Sequence, residues 1–465
     1  MTIEKQIPSE NVYPSGLQLL YTLRGHEHVI FLVSWNNNGR LLASASEDTS
    51  IRIWDPFAGQ LIRKLNGHKK GVYCLDWSPD GTLIASGSED KSILIWDTSS
   101  WEIQQTIREH TAAVNDVAWS PDGKTLASAS DDGSLLLWDT ISWQVKKNLI
   151  GHEGGIWNVA WFPNGRRLAS ASVDKTVRLW EPTSAQVRRV IAEHSDEVSV
   201  VAVSPSGEFL VSGSDDTTIM IWNAQTGERV AVLRDHLQWI CGISFSYDSK
   251  LLASKAFDGT VRIWNSQDWQ LLTVLEEPSN RFNYFAVLDF HPHQYLLATL
   301  GEQDTAIRLW ALDPENLGKD QAKFTKRRLR LFLCHSSQDK SVVRKIFSKL
   351  RVDGFDPWLD EENLLPGQDW RSEIQKAIHD SDAVLVCVSS TSVNKAGFLH
   401  REIREALDVA YEQPEGSIFL IPIRLDECMV PDSLRHWQWF NYFEENGYWK
   451  LRLSLQKRAA SLGLG

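Results

Sequence analysis

At 465 residues the chain is too long for one ordinary core, and a net charge of -12 disfavours a protein that grips nucleic acid through its phosphates. Hydrophobic residues make up 42% and charged residues 23%, the balance of a folded globular protein; no apolar run reaches the roughly 18–20 residues that a membrane span needs. The five cysteines, Cys74, Cys241, Cys334, Cys387 and Cys428, stand far apart with no CxxC pair. That argues against a disulfide framework or a zinc site and points to a reducing, cytoplasmic compartment. The N-terminus, MTIEKQIPSENVYPSG, is polar and reads as a tail over 1–16 rather than a signal peptide.

The 21 tryptophans need a cause, and an internal repeat supplies most of it. Trp54, Trp96, Trp138, Trp180, Trp222 and Trp264 are 42 residues apart, and Trp310 follows after 46. His26, His68, His110, His152, His194 and His236 keep the same step. So do Asp48, Asp90, Asp132, Asp174, Asp216, Asp258 and Asp304, and the hydroxyls from Ser44 through Ser254 to Thr299. One unit, Gly67 to Asp97, holds three β-rich runs, VYCLDW, LIASGS and SILIWD, separated by SPDG and SEDK turns. A fourth run, LIRKL, precedes the Gly-His. Four strands per period of about 40–45 residues is the pattern of a propeller blade.

These residues resemble the WD40 family, over about two thirds of the chain. The resemblance implies a seven-bladed all-β propeller over 17–312, in which Trp, Ser or Thr, His and Asp form a hydrogen-bonded network inside each blade. The histidines are then architecture rather than metal ligands or catalysts. A half-satisfied network is costly. The seventh blade, where Glu-Glu-Pro-Ser at 276–279 replaces Gly-His, is therefore expected to be locally weak. No fourth strand follows Trp310, so the unclaimed run Leu17 to Leu23 is expected to close the last blade. The residue five places after each repeat histidine varies, as does the one three places after. In the family these positions open near the central channel. Phe31, Tyr73, Trp157 and Trp239 then form either an aromatic surface for a protein or peptide or ordinary blade packing. No convergent cluster of unmatched Asp, Glu and His marks the propeller as an enzyme.

Residues 313–328 are polar and read as a linker. Its basic end, Lys326-Arg327-Arg328, reads as solvated rather than as a phosphate contact. From 329 to 465 strands and helices alternate. LRLFLCHS (329–336), FDPWLD (355–360), AVLVCVS (383–389) and IFLIPIRL (418–425) read as strands, and WQWFNYF (437–443) as a short fifth. Helices are expected over 337–350, 370–380, 398–412 and about 446–460, with Ser336 and Asp339 forming a capping box for the first. Uninterrupted apolar strands alternating with helices imply an α/β, flavodoxin-like domain with a parallel sheet covered on both faces.

Three motifs here resemble a TIR domain of the bacterial kind: FLCHSSQDK after the first strand, WLDEENLLPGQDW for the long loop after the second, and VCVSSTSVNKAGFLHREI entering the third helix. Some TIR domains are scaffolds; others cleave NAD+ at the nicotinamide–ribose bond with one Glu at the start of the third helix. In an animal TIR NADase active in axon degeneration, an aromatic residue lies four places before that Glu and a His two before. Phe398, His400 and Glu402 match this pattern, with Phe where that enzyme has Trp. The resemblance makes Glu402 catalytic. It places His335, Ser336 and Asp360 at loop positions that either line the pocket or cap their elements. Trp370 either closes over the ligand or anchors its helix, and the anchor is favoured. Trp358 and Cys387 read as packing. No metal and no cofactor is expected, NAD+ being the substrate, and with no GxGxxG loop a redox use of NAD is disfavoured. The expected partners are a protein or peptide on the propeller and further copies of the TIR domain, with neither nucleic acid nor membrane. The rival reading is a non-enzymatic adaptor in which both domains only bind proteins.

Overall fold

The computed structural model describes residues 13–277, 288–301, 305–319, 329–336, 338–353, 355–359, 370–393, 404, 407–410, 419–444 and 447–462. The chain divides into two compact units, Met1–Phe324 and Thr325–Gly465.

The first unit is a seven-bladed propeller of four-stranded antiparallel sheets. Strand Val72–Trp77 pairs with Leu83–Ser88, that strand with Ile93–Asp97, and that one with Ile103–Ile107. The next four blades repeat this order, as does the blade before them. In the seventh, Leu17–Arg24 pairs with Ala306–Leu312, so the two ends of the propeller sequence share one sheet and the ring is closed by hydrogen bonds. Inner strands bury both faces between neighbouring blades, whereas outer strands such as Val145–Leu149 expose most of their side chains. Trp138, Trp180, Trp222, Trp264 and Trp310 are among the largest fully buried side chains. Each indole buries about 200 Å², which at about 25 cal/mol per Å² is worth about 5 kcal/mol.

The second unit is a five-stranded parallel sheet. Its spatial order is Asp356–Trp358, Arg330–Cys334, Ala383–Val388, Leu420–Arg424 and Phe440–Asn441, the flavodoxin-like order 2-1-3-4-5. Described helices span Lys340–Val352, Trp370–Asp380 and Gly447–Ser461. Two apolar cores lie on the two faces of the sheet. One is built around Ile374, Ile378 and Leu407, the other around Val343, Ile346, Leu350, Leu451 and Leu455. Every residue of Ala383–Val388 is buried, as its unbroken apolar run requires.

The expected capping box does not form. Asp339 does sit at the N-cap of Lys340–Val352, but its side chain makes no cap hydrogen bond. Its Oδ1 instead accepts a hydrogen bond at 2.7 Å from the hydroxyl of Ser389, which follows the neighbouring parallel strand Ala383–Val388. A long-range partner has outcompeted the local one.

Candidate functional site

In the C-terminal unit, Arg330–Cys334 and Ala383–Val388 lie side by side, and the chain leaves them toward opposite edges of the sheet. That is the topological switch point, and open α/β sheets bind ligands in the crevice outside the strand C-termini there. His335 and Ser336 follow the first strand directly, and Ser389 follows the second. His335 is buried, with Nδ1 3.4 Å from the Leu333 carbonyl; Ser336 is half-buried. Asp339 and Ser389 join the two strand ends. Asp339 is buried, and its Oδ2 has no hydrogen-bond partner among the described residues. An orphaned carboxylate oxygen is costly and asks for a donor. Ser390 extends the rim, its amide and hydroxyl donating to Asp426 at 2.8 and 2.6 Å. Burial, with the Asp339 charge beside it, pushes the Cys387 thiol up to about 12, so Cys387 is an inert core residue. Trp358 stacks on Phe332 at 5.1 Å and is packing. A wider cavity of about 340 Å³ involves Arg330 and Asp356, which begin the two edge-side strands, and is remote from Asp339.

In the propeller, the repeat residues make a relay in six blades. In the first, Trp54 Nε1 donates to Ser44 Oγ at 2.8 Å, His26 Nε2 lies 2.7 Å from the same hydroxyl, and His26 Nδ1 lies 2.7 Å from Asp48. An ionised Asp can only accept, so Nδ1 carries the proton and Nε2 accepts from the serine. Burial holds His26 below the usual imidazole range, against the pull of Asp48. Burial acts to raise Asp48, but hydrogen bonds and the charge of the His26 site outweigh it and hold the carboxyl well below its usual range. The histidines are thus structural groups, and among the described residues no set of His, Cys, Asp and Glu is arranged to hold a metal.

The seventh blade corrects an expectation. Glu277 takes the place of the missing histidine: Trp310 Nε1 donates to Thr299 Oγ1 at 2.9 Å, and Thr299 donates to Glu277. Lys255 of the sixth blade, 1% exposed, sits 3.3 Å from Glu277 and also donates to the Leu300 carbonyl. The relay is rebuilt with different chemistry rather than left incomplete.

A second set of carboxylates ties blade to blade. Asp76 accepts from the Trp119 amide at 2.8 Å, Asp116 from the Val159 amide at 2.9 Å, and Asp289 from the Trp35 amide at 3.0 Å. Burial pushes these carboxyls up, to about 7, 8 and 7 respectively. They are near enough for Asp289 to act on Asp76, and Asp76 on Asp116. The sequence pattern hides this set: the position of Asp76 holds Ser34, Ala118 and Ala160 in other blades, and Asp116 stands at a different repeat position, one that holds Leu32, Cys74 and Asn158 elsewhere.

At the propeller mouth, six of the inner strands slip register at one residue: Phe31, Tyr73, Asn115, Trp157, Ser199 and Cys241. These are the variable positions five after each histidine. A bulge re-aims a side chain, and Tyr73, Trp157 and Trp239 turn toward one cavity together with Asn115, Glu197 and Asp215. Phe31 does not join them. It is 7% exposed and packs edge-on against Tyr73 at 5.2 Å, under Gly71.

Family models match in sequence along the chain: the WD domain G-beta repeat at 17–55 and 59–97, the IFT122 first beta-propeller at 113–323, and the TIR domain at 331–452. The chain joins a WD40 β-propeller to a TIR domain. One curated relative, a periodic tryptophan protein 2 homolog of Schizosaccharomyces pombe, is 54% identical over 41 residues. That match covers 9% of this chain and 5% of the relative, one blade's worth of repeat. Within the TIR domain, His335 and Ser336 stand at the switch-point crevice. Asp360, Phe398, His400 and Glu402 lie outside the described residues, and of Trp370 only its place at the start of Trp370–Asp380 is described. Sequence reasoning missed Asp339, read as a cap, and Ser389. Their signal was available: a polar pair at the C-terminal ends of two adjacent parallel strands. Among the described residues no helix is long and apolar enough to cross a membrane.

Proposed function

We propose that this chain is a sensor–effector protein: the propeller binds a protein trigger, and the TIR domain hydrolyses NAD+ at the nicotinamide–ribose bond once copies are brought together. The observation that carries the effector half is the buried Asp339 Oδ2 beside Ser389 at the switch point, an oxygen that has no hydrogen-bond partner among the described residues. A crevice with a spare acceptor suits a ligand rich in hydroxyl donors, such as a ribose. In the reaction, nicotinamide leaves as a neutral ring from a cationic glycoside, so little acid help is needed. The ribosyl oxocarbenium ion that develops needs a nearby negative charge, and water then adds to the ribose carbon. Glu402 is assigned that charge. His335, Ser336, Asp360, Trp370 and Phe398 are assigned to the pocket, and a cyclised ADP-ribose is a variant product. The substrate pool is intracellular, which fits five cysteines that form no disulfide, and its loss would arrest or kill the cell, as a prokaryotic defence or toxin system requires.

The test is nicotinamide release from NAD+ by the full chain, across protein concentrations and with a crowding agent. Wild type releases nicotinamide more steeply than in proportion to its concentration, and Glu402→Ala lowers release by about 100-fold or more. Release that persists in the variant removes Glu402 from its role. No release under any oligomerising condition favours a non-enzymatic adaptor.

A further inference from the structure

The propeller mouth holds a cavity that the blade relays do not use. Its internal volume is about 50 Å³. Small-molecule pockets run to roughly 300–1,000 Å³, so this one is too small for a free metabolite. About 10–15 Å³ is enough to hold a water, so this cavity has room for a small group of atoms. That is the tip of a side chain.

The walls say which tip. Asn115 is 3% exposed, and its Nδ2 donates to Asp131 Oδ1 at 2.6 Å and to the Ile156 carbonyl at 3.1 Å. Both partners are acceptors, so the amide cannot be flipped, and Oδ1 is left buried with no partner. Trp157, Trp239, Tyr73 and Phe257 supply ring faces and edges, Trp239 meeting Phe257 edge-on at 6.0 Å. The charge is negative. The Asp215 amide donates to the Glu197 carbonyl at 2.9 Å, which holds the two acidic residues side by side. Burial, then Glu197, Asp196 and Asp216, pushes the Asp215 carboxyl up to about 7. The nearby lysines Lys70 and Lys175 are within 2.8 and 3.2 Å of Glu89 and Asp196, and no described cation pairs with Glu197 or Asp215. Burial, then Glu89, Asp131 and Glu47, likewise pushes the Tyr73 hydroxyl up to about 12.

We infer that this cavity takes the guanidinium of an arginine in a basic segment of the protein trigger, an inference that rests on the propeller being the recognition half. A guanidinium is flat enough to lie between rings and carries five donors for the Glu197 and Asp215 side chains. A lysine ammonium fits the charge but not the stacking. An acidic segment or a nucleic acid backbone meets repulsion from Glu47, Glu89, Asp131 and Glu197.

The test uses the full chain and short fluorescent peptides with a central arginine, lysine or citrulline between alanine and serine flanks, read by anisotropy. Citrulline keeps the shape of arginine without its charge. The arginine peptide binds roughly tenfold or more tighter than either other peptide. Glu197→Gln and Trp239→Ala, both at the rim, each weaken it by a similar factor with the thermal unfolding profile unchanged. Equal binding of arginine and citrulline overturns the inference, as does binding indifferent to both rim variants. Equal binding of lysine overturns the guanidinium assignment. Nicotinamide release is measured separately on the same preparation, so a failed arginine site leaves the effector reading standing, and a failed NADase leaves the arginine site standing.

Discussion

The six histidine blades and the seventh bury the same tryptophan by different means. In the six, the relay runs outward from the indole through serine and an imidazole to an ionised Asp at the tip of a turn. The charge sits at the edge of the blade, where backbone amides such as those of Lys69 and Ser92 also solvate it. In the seventh, the negative charge has moved inward to Glu277, and Lys255 of the preceding blade answers it. Lys255 stands where the other blades have Ala45, Gly87, Ala129, Ala171, Gly213 and Leu300. The difference teaches that the relay needs an acceptor beside the hydroxyl, not a histidine. A carboxylate will serve if a buried cation is supplied. The cost is that the seventh blade depends on the sixth for its charge balance, whereas in each histidine blade the aspartate is solvated by hydrogen bonds from its own blade.

Breaking that dependence should give the largest effect. Lys255→Met leaves Glu277 buried and uncompensated, and removing one partner of a buried pair costs about 3–5 kcal/mol. The loss should appear by calorimetry as a lowered propeller transition. Lys255→Met with Glu277→Gln removes both charges and keeps an acceptor for Thr299, so most of the stability should return. If the double variant is as unstable as the sum of the two single changes, the pair is not the unit that matters. The equivalent change in a histidine blade, His194→Ala, leaves Asp216 with its hydrogen bonds from the turn and should cost less, about 1–3 kcal/mol.

The blade-to-blade carboxylates sharpen the comparison through pH. Asp116 titrates higher in the folded chain, at about 8, than in the unfolded chain, because burial disfavours its charge. The unfolded state therefore gives up its proton first as pH rises, and the folded state loses stability between about pH 4 and 8. His26, His110 and His236 run the other way. Burial lowers them, so the unfolded state takes up protons first, and their contribution is lost as pH falls below about 6.5. The wild-type propeller should be most stable between these limits. Asp116→Asn keeps an acceptor for the Val159 amide and removes the titration. Its melting temperature relative to wild type should rise steadily from pH 5 to pH 8. A constant difference over that range would mean that Asp116 does not titrate there.

How much of this was legible in advance depended on whether a residue's partner lies at a repeated distance. The six relays repeat at 42 residues, so pattern alone exposed them, and the β-rich run at Leu17–Arg24 was conspicuous because a blade was short of a strand. Glu277 and Lys255 were not legible. Each departs from the pattern alone, and only their meeting in space makes the departures one feature. Asp76, Asp116 and Asp289 were hidden for the same reason. In the TIR domain the apolar strands announced the sheet, and Trp358 and Cys387 pack as their settings suggested. Asp339 was misread because a short polar side chain before a helix has a local partner available, and sequence does not show that Ser389 competes for it. Of the propeller aromatics, Tyr73, Trp157 and Trp239 line one cavity, while Phe31 takes the packing alternative against Tyr73.

The smallest expected effect lies in the turns that carry the relay aspartates. The residue after each aspartate is left-handed: φ is 66° at Thr49, 71° at Lys91, 68° at Lys175 and 72° at Thr217, while glycine fills the position at Gly133 and Gly259, each with φ 78°. The aspartate enforces this. Asp216 Oδ1 accepts from the Thr218 amide at 2.9 Å and its hydroxyl at 2.6 Å, which leaves Thr217 no other conformation. A non-glycine residue pays about 1–2 kcal/mol for the left-handed region, and a β-branched one is at the upper end. Glycine avoids that strain but loses about 0.5–1 kcal/mol more chain entropy on folding. Thr217→Gly should therefore stabilise its blade by about 0.5–1 kcal/mol, and Gly133→Thr should destabilise the third blade by a similar amount, both read by denaturant unfolding. If Thr217→Gly is neutral or harmful, the threonine side chain offsets its own strain through contacts in the turn. The histidine blades would then differ from one another in their turns as well as from the seventh in their relay.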